Sequence, residues 1–188
     1  MKAVRIASID PALANFGIAR MVLRLEDLKL GIEHLKLIET EKRVNKVVRQ
    51  NSDDLRRAQE ITRAFHLEVA PCTVCFAEVP TGGQSARAVL SFGISIGILS
   101  NCPIPLIQVQ PFETKLATVG TKTASKEEMI EWAVAEFPNG PWLRNKAGKP
   151  LNKNEHLADA VAVAYAGIRT DQFKGLLAMW KAVPARAA

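Results

Sequence analysis

Val4-Arg5-Ile6-Ala7-Ser8-Ile9-Asp10-Pro11-Ala12-Leu13-Ala14-Asn15-Phe16-Gly17 lies near the start of this 188-residue chain. Residues 3–9 alternate too little for a strand with one wet face, so they predict a strand covered on both sides. Asp10 ends that strand. A carboxylate at the margin of a buried element needs a partner, because burying it alone costs several kcal/mol.

The same placement recurs further on. Glu78 ends the run Thr73-Val74-Cys75-Phe76-Ala77, and His156 and Asp159 open a helix that continues Ala160-Val161-Ala162-Val163-Ala164. Three apart on a helix, His156 and Asp159 project from one face. Both fall in the first turns, where the helix dipole favours anions such as phosphate. Acidic groups at the margins of three apolar elements ask for a shared cation, and a divalent metal is the simplest one. Each residue alone has a plainer reading: Asp-Pro opens turns, a strand-end Glu is solvated, and a helix-start His or Asp is a cap.

Around these positions the chain reads as strands 18–25 and 35–38, forming a hairpin or meander with the first, then a mobile basic excursion over 42–51. Ser52-Asp53-Asp54 offers N-cap chemistry for a helix to about residue 69, and Pro71 breaks the chain before strand 73–77. Residues 85–99 predict a buried helix in which Gly93 and Gly97, four apart, admit another backbone: sheet, helix or second subunit. A fifth strand covers 106–109. Ser125-Lys126-Glu127-Glu128 has capping-box spacing for a helix ending near Pro138, and Asn152-Lys153-Asn154-Glu155 repeats it for a helix to about 168. Residues 171–180 predict one more short helix. Strands first, then strands alternating with helices, indicate an α/β fold: a mixed five-stranded sheet with helices on both faces.

Hydrophobic residues make up 48% and charged residues 23%, which excludes disorder. The length suits a single domain over 1–188, with a basic insertion at about 139–154 and a C-terminal tail at about 171–188. The longest apolar stretch, 88–99, is too short to span a bilayer, and Met1-Lys2 leads at once into the first strand. A soluble cytoplasmic protein is expected. Net charge is +6 and the isoelectric point about 9.4, which favours a polyanionic partner such as nucleic acid. Residues 139–154 carry Arg144, Lys146, Lys149 and Lys153 with no acid, and residues 111–126 carry Lys115, Lys122 and Lys126 against Glu113 alone. Cys72, Cys75 and Cys102 are odd in number and read as reduced buried thiols; a zinc site would have to recruit His66, and its second pair lacks ligand spacing. Trp142 reads as a half-buried loop anchor.

Ser8 to Gly17 resembles the opening of the RuvC family of Holliday junction resolvases, in the ribonuclease H-like superfamily. Phe76-Ala77-Glu78-Val79 is similar to that family's second motif, and residues 85–97 to the helix after it. The stretch from Pro111 to Lys126 resembles its proline-to-lysine signature, and His156-Leu157-Ala158-Asp159-Ala160-Val161-Ala162 its last acidic motif. The likeness covers about residues 4–26 and 52–170, in order. It implies a ribonuclease H-like fold and a homodimer that cuts four-way junctions and related branched DNA, leaving 5′-phosphate and 3′-hydroxyl ends in a bacterial cell or phage-infected host. Asp10, Glu78, His156 and Asp159 would be catalytic and would hold two Mg²⁺ per subunit, with Mn²⁺ as substitute. Lys115, Lys122, Ser125 and Lys126 would contact DNA, joined by Arg144, Lys146 and Lys149 of the basic insertion.

Departures accompany the likeness. Many members carry Asp where this chain has His156, the segment after Glu78 lacks the aromatic that often enters the junction centre, and residues 139–154 are longer and more basic than usual. A junction-binding protein without catalysis, and a related nuclease acting on RNA or flaps, remain competing readings. The actin-like kinases, suggested by Asp10 and Gly17, need a second lobe that 188 residues do not accommodate.

Overall fold

The computed structural model describes residues 3–43 and 49–182. Its central sheet has the order β3-β2-β1-β4-β5, made of β1 (Ala3–Asp10), β2 (Asn15–Arg24), β3 (Leu30–Glu39), β4 (Val74–Glu78) and β5 (Leu106–Val109). The first three strands form an antiparallel meander, and β4 and β5 continue the sheet parallel to β1. The mixed five-stranded sheet is therefore as the sequence predicts. Strands β2 and β3 are longer than expected, because they stay paired from Asn15↔Glu39 to Leu23↔Leu30 around a bulge at Arg20/Met21. Much of the excursion expected at 42–51 lies outside the described residues, as does the tail beyond 182.

Among the described residues six α-helices accompany this sheet: α1 (Gln50–Val69), α2 (Ala86–Ser100), α3 (Pro111–Thr118), α4 (Lys126–Glu136), α5 (Glu155–Gly167) and α6 (Asp171–Ala182). Alternation along β1 separates two cores. Ile6 joins Val74, Phe76 and Ile107 beneath α5 and α6, whereas Ala7 and Ile9 join Cys75 and Ala77 beneath α1 and the end of α2. The two-sided burial expected for this strand follows directly. Helix α5 is enclosed, with residues 160–164 all at 0% exposure. Its small side chains permit this: a Cβ on Gly167 would stand 2.4 Å from Phe76 Cδ1.

Several local expectations change. Helix α1 starts before Ser52, after Arg49, and Asp53 and Asp54 are turned to arginines rather than to capping: Asp53 meets Arg56, and Asp54 meets Arg87 and Arg57. Residues 111–118 are a helix, started by Pro111 in its first turn and by Glu113, whose carboxylate accepts from the Gln110 N–H at 2.8 Å. Helix α2 begins after Ser85 as expected, yet it is buried only toward its end, at Ser95, Ile98 and Leu99. Val89, Leu90 and Ile96 are exposed, and added Cβ atoms at Gly93 and Gly97 would meet nothing within 4 Å. The three cysteines are free; Cys72 and Cys75 are buried and Cys102 is partly so. Among the described residues no helix is long and apolar enough to cross a membrane.

Candidate active site

Asp10 and Glu78 occupy the last positions of neighbouring parallel strands, one step beyond the Ile9↔Ala77 pair. Strand periodicity places them on the same face as Ile6 and Phe76, the face covered by α5. The first turn of α5 carries His156 and Asp159 onto that edge. Gly17 permits the approach: it pairs with Asp10 across β1 and β2, and a Cβ there would lie 2.2 Å from the His156 carbonyl oxygen.

The structure thus brings the four sequence-predicted residues together. His156 Nδ1 lies 2.7 Å from Asp10 Oδ2, and both side chains keep about a fifth of their surface exposed (23% and 19%). That bond raises the His156 pKa, partly opposed by burial. Burial first, and then the charges of Asp10, Glu78 and Glu155, push Asp159 up to about 7. Burial likewise raises Glu78, with Asp10 adding to it, while the Thr114 hydroxyl, donating to Glu78 Oε1 at 2.6 Å, pulls the other way. A bound cation would relieve the mutual repulsion among these partly buried acids.

The donor set fits a hard divalent ion: three carboxylates with one imidazole, at the ends of rigid elements. As placed, Asp10 and Glu78 take protein partners, His156 and Thr114, and among the described residues no three acid, histidine or cysteine side chains form a group that could hold a metal ion. Glu155 points away to Lys126, at 2.6 Å.

Among the other residues singled out from sequence, Lys115 sits in α3 and donates to the Ala124 carbonyl at 2.8 Å, close enough to Glu78 to stabilise its anion. Lys126, at the start of α4, reaches the site's edge through Glu155. Ser125 is the N-cap of α4, accepting from the Glu128 N–H at 3.2 Å. The Lys122 ammonium stands 5.3 Å from the centre of the Phe112 ring. Arg144, Lys146 and Lys149 project on a separate exposed turn. Sequence reasoning missed Thr114, Gly17 and Asn154. Of these only Gly17 left a signal, its spacing from Asp10; the partners of Thr114 and Asn154 lie too far along the chain to be read.

No protein-family model matches the chain, and no curated protein matches it. Solved structures do. Thermus thermophilus RuvC in complex with a Holliday junction substrate aligns with a TM-score of 0.67 at 18% identity, over 92% of this chain and 96% of that one. The fowlpox virus resolvase in complex with Holliday junction DNA aligns at 0.55 and 14% identity, over 88% and 97%. At such identities the likeness speaks for architecture. The mixed sheet with helices on both faces and alignments over about nine-tenths of this chain carry one conclusion: this chain has the ribonuclease H-like fold of the RuvC and poxvirus Holliday junction resolvases.

Proposed function

We propose that this chain is a structure-selective endonuclease that hydrolyses phosphodiesters at four-way junctions and related branched DNA, leaving 5′-phosphate and 3′-hydroxyl ends. The observation that carries the reading is the convergence of Asp10, Glu78, His156 and Asp159 from β1, β4 and α5. Its support is threefold: the acid cluster, Lys115 and Lys126 at its edge, and the fold shared with resolvases solved in complex with junction DNA.

A phosphodiester is anionic and repels a nucleophile, so its hydrolysis needs positive charge and an activated water. Asp10, Glu78 and Asp159 would hold two Mg²⁺ ions, or Mn²⁺ in their place, with His156 as a further ligand. The chemistry such ions would supply is positive charge for the attacking and leaving oxygens of an in-line displacement. Asp10 borders both neighbouring acids and is the natural shared ligand. Thr114 orients Glu78, and the Asp10 carboxylate orients the His156 ring. The Asp10 carboxylate favours a proton on His156, and the ring is suited to ligate an ion when neutral or to exchange a proton with the attacking water. Lys115, Lys122, Ser125 and Lys126 line the approach for DNA, with Lys126 exchanging Glu155 for a phosphate.

Two opposed strands of a junction require two sites, and the exposed apolar face of α2 supports a homodimer. Val89, Leu90 and Ile96 face solvent there beside Gly93 and Gly97, where a second backbone has room to approach.

The test uses end-labelled four-way junctions, flaps, plain duplexes and RNA hybrids with Mg²⁺ or Mn²⁺. Symmetric cutting of junctions, abolished by Asp10→Asn or Asp159→Asn with binding intact, is expected. Band shift without cutting at any metal level defeats the catalytic reading, and preferential cutting of RNA hybrids or flaps redirects the substrate.

A further inference from the structure

The acid-free run at 139–154 is not a loose loop. Arg144 pairs with Pro150 across an antiparallel bridge, and the Leu151 and Asn145 N–H groups donate to Leu143 and Lys149 carbonyls, each at 2.9 Å. The tip turns on Asn145, whose Oδ1 accepts from the Ala147 and Lys149 N–H groups at 2.9 and 3.0 Å. Gly148 completes the turn at φ +77°, a conformation that costs glycine little. At the base, buried Trp142 donates its indole N–H to the Phe137 carbonyl at 2.8 Å.

One side chain ties this projection to the site. Asn154 is fully buried; its Oδ1 accepts from the Leu143 N–H at 2.9 Å and its Nδ2 donates to the Leu143 carbonyl at 2.8 Å. It directly precedes the turn of α5 that carries His156. Lys153 adds a second tie, to Glu39 at the end of β3, at 2.7 Å. The sequence placed the capping pattern from Asn152 to Glu155; the structure starts α5 after Asn154, whose side chain makes no cap bond and clasps Leu143, eleven residues back.

A solvated cationic loop needs no buried amide with both ends satisfied. Holding the cations in a fixed arrangement does, because binding then costs less ordering of the protein. Lys146 and Lys149 stand exposed on the finger, and Arg144, which donates to the Gly148 carbonyl at 2.8 Å, has further N–H groups to offer.

We propose that residues 143–151 form a preformed finger that grips the phosphate backbone of a duplex arm, with Asn154 as the positioning residue that sets its register against the active site. This rests on the nuclease reading above and adds to it a second point of contact. Phosphate contacts position a protein without reading sequence, so the finger fits any double-stranded arm long enough to reach it.

Anisotropy titrations test this in an Asp10→Asn background with Mg²⁺, using four-way junctions with long or short arms. Lys146→Gln with Lys149→Gln removes two phosphate contacts. The salt slope on long arms should fall by about 1.8, so that the affinity lost between about 50 and about 200 mM salt shrinks roughly twelvefold. Short-arm binding should not change. Asn154→Ala should reproduce the long-arm loss and add little to the lysine changes. Exposed Asn145→Ala, which unties the tip without touching the core, must weaken long-arm binding if the alanine at 154 prevents folding. An unchanged slope, or equal loss on short arms, overturns the finger, and full additivity of Asn154→Ala overturns its positioning role. Absence of any junction binding by the unaltered chain defeats the nuclease reading instead.

Discussion

His156 Nδ1 and Asp10 Oδ2 lie 2.7 Å apart across 146 positions of sequence, joining the start of α5 to the end of β1. The pair sets one cationic-capable group among three acids. His156→Asp would add a fourth acid to the cluster. Cutting that depends on Mg²⁺ should persist, while in chelator the melting temperature should fall by a few degrees because a favourable contact becomes a repulsion. Complete loss of cutting at every metal concentration refutes interchangeable ligation.

Asp159 gives the complementary result. Burial and the neighbouring acids raise its folded pKa to about 7, above the ordinary value of about 3.9. The folded state therefore keeps a proton that the unfolded chain gives up, and stability declines as pH rises from about 4 through about 7. In chelator at about pH 8, Asp159→Asn should melt on the order of a few degrees above the unaltered protein, with the gap closing near pH 4. Mg²⁺ should raise the melting temperature of the unaltered protein more than that of the variant, since a ligand stabilises the state that binds it. Calorimetry across pH with and without Mg²⁺ checks both signs; a variant less stable in chelator at high pH contradicts the crowding.

What was legible before the structure depended on distance along the chain. Asp10, Glu78, His156 and Asp159 stood out because each is polar at the edge of an apolar run, a contrast visible within ten residues. Their meeting follows from a sheet whose strand alternation is also local. Thr114 was invisible: its partner Glu78 lies 36 residues away, and the lysines around it drew attention to charge. Asn154 drew no notice because the capping pattern there runs from Asn152 to Glu155, and only the bridge at Arg144↔Pro150 brings Leu143 back to it. Helix α2 read as buried because composition records apolarity and not which body covers it.

That exposed face makes its own prediction. Leu90→Glu with Ile96→Glu places two charges where the dimer reading puts a dry contact, at positions 44% and 42% exposed in the single chain. The variant should stay folded, sediment as a monomer, and lose paired cutting of opposed strands. A dimer of unchanged mass by equilibrium sedimentation moves the interface elsewhere.

Asp54 holds α1 to α2. It is buried at 4% exposure, its Oδ1 accepts from Arg87 Nη2 at 2.6 Å, and Arg57 Nη1 lies 3.7 Å away. Arg87 holds the Asp54 pKa below its usual range. A depressed acid contributes stability above its unfolded pKa and loses it as pH falls through the folded one. Asp54→Asn, which removes the charged partner of Arg87 and leaves buried Arg57 only the charge of Asp53, should cost about 2 kcal/mol near neutrality. Urea titrations should show the gap narrowing below about pH 4; a gap that widens in acid would contradict the assigned sign.

Gly17 tests whether the site's geometry, rather than its composition, carries the chemistry. A methyl there would lie 2.2 Å from the His156 carbonyl oxygen and 2.8 Å from its carbon, both backbone atoms, so the first turn of α5 must move to admit it. The four site residues remain, but their spacing does not. A displacement near 1 Å is enough to lower a rate by about a hundredfold. Gly17→Ala should therefore lose about two orders of magnitude in junction cutting while retaining junction binding, which depends on lysines outside that turn. Gly31→Ala on β3, where a Cβ meets nothing within 4 Å, is the matched control and should cut normally. Equal activity of the two variants would mean that α5 yields without consequence, and that the close approach of helix and strand does not set the spacing on which hydrolysis depends.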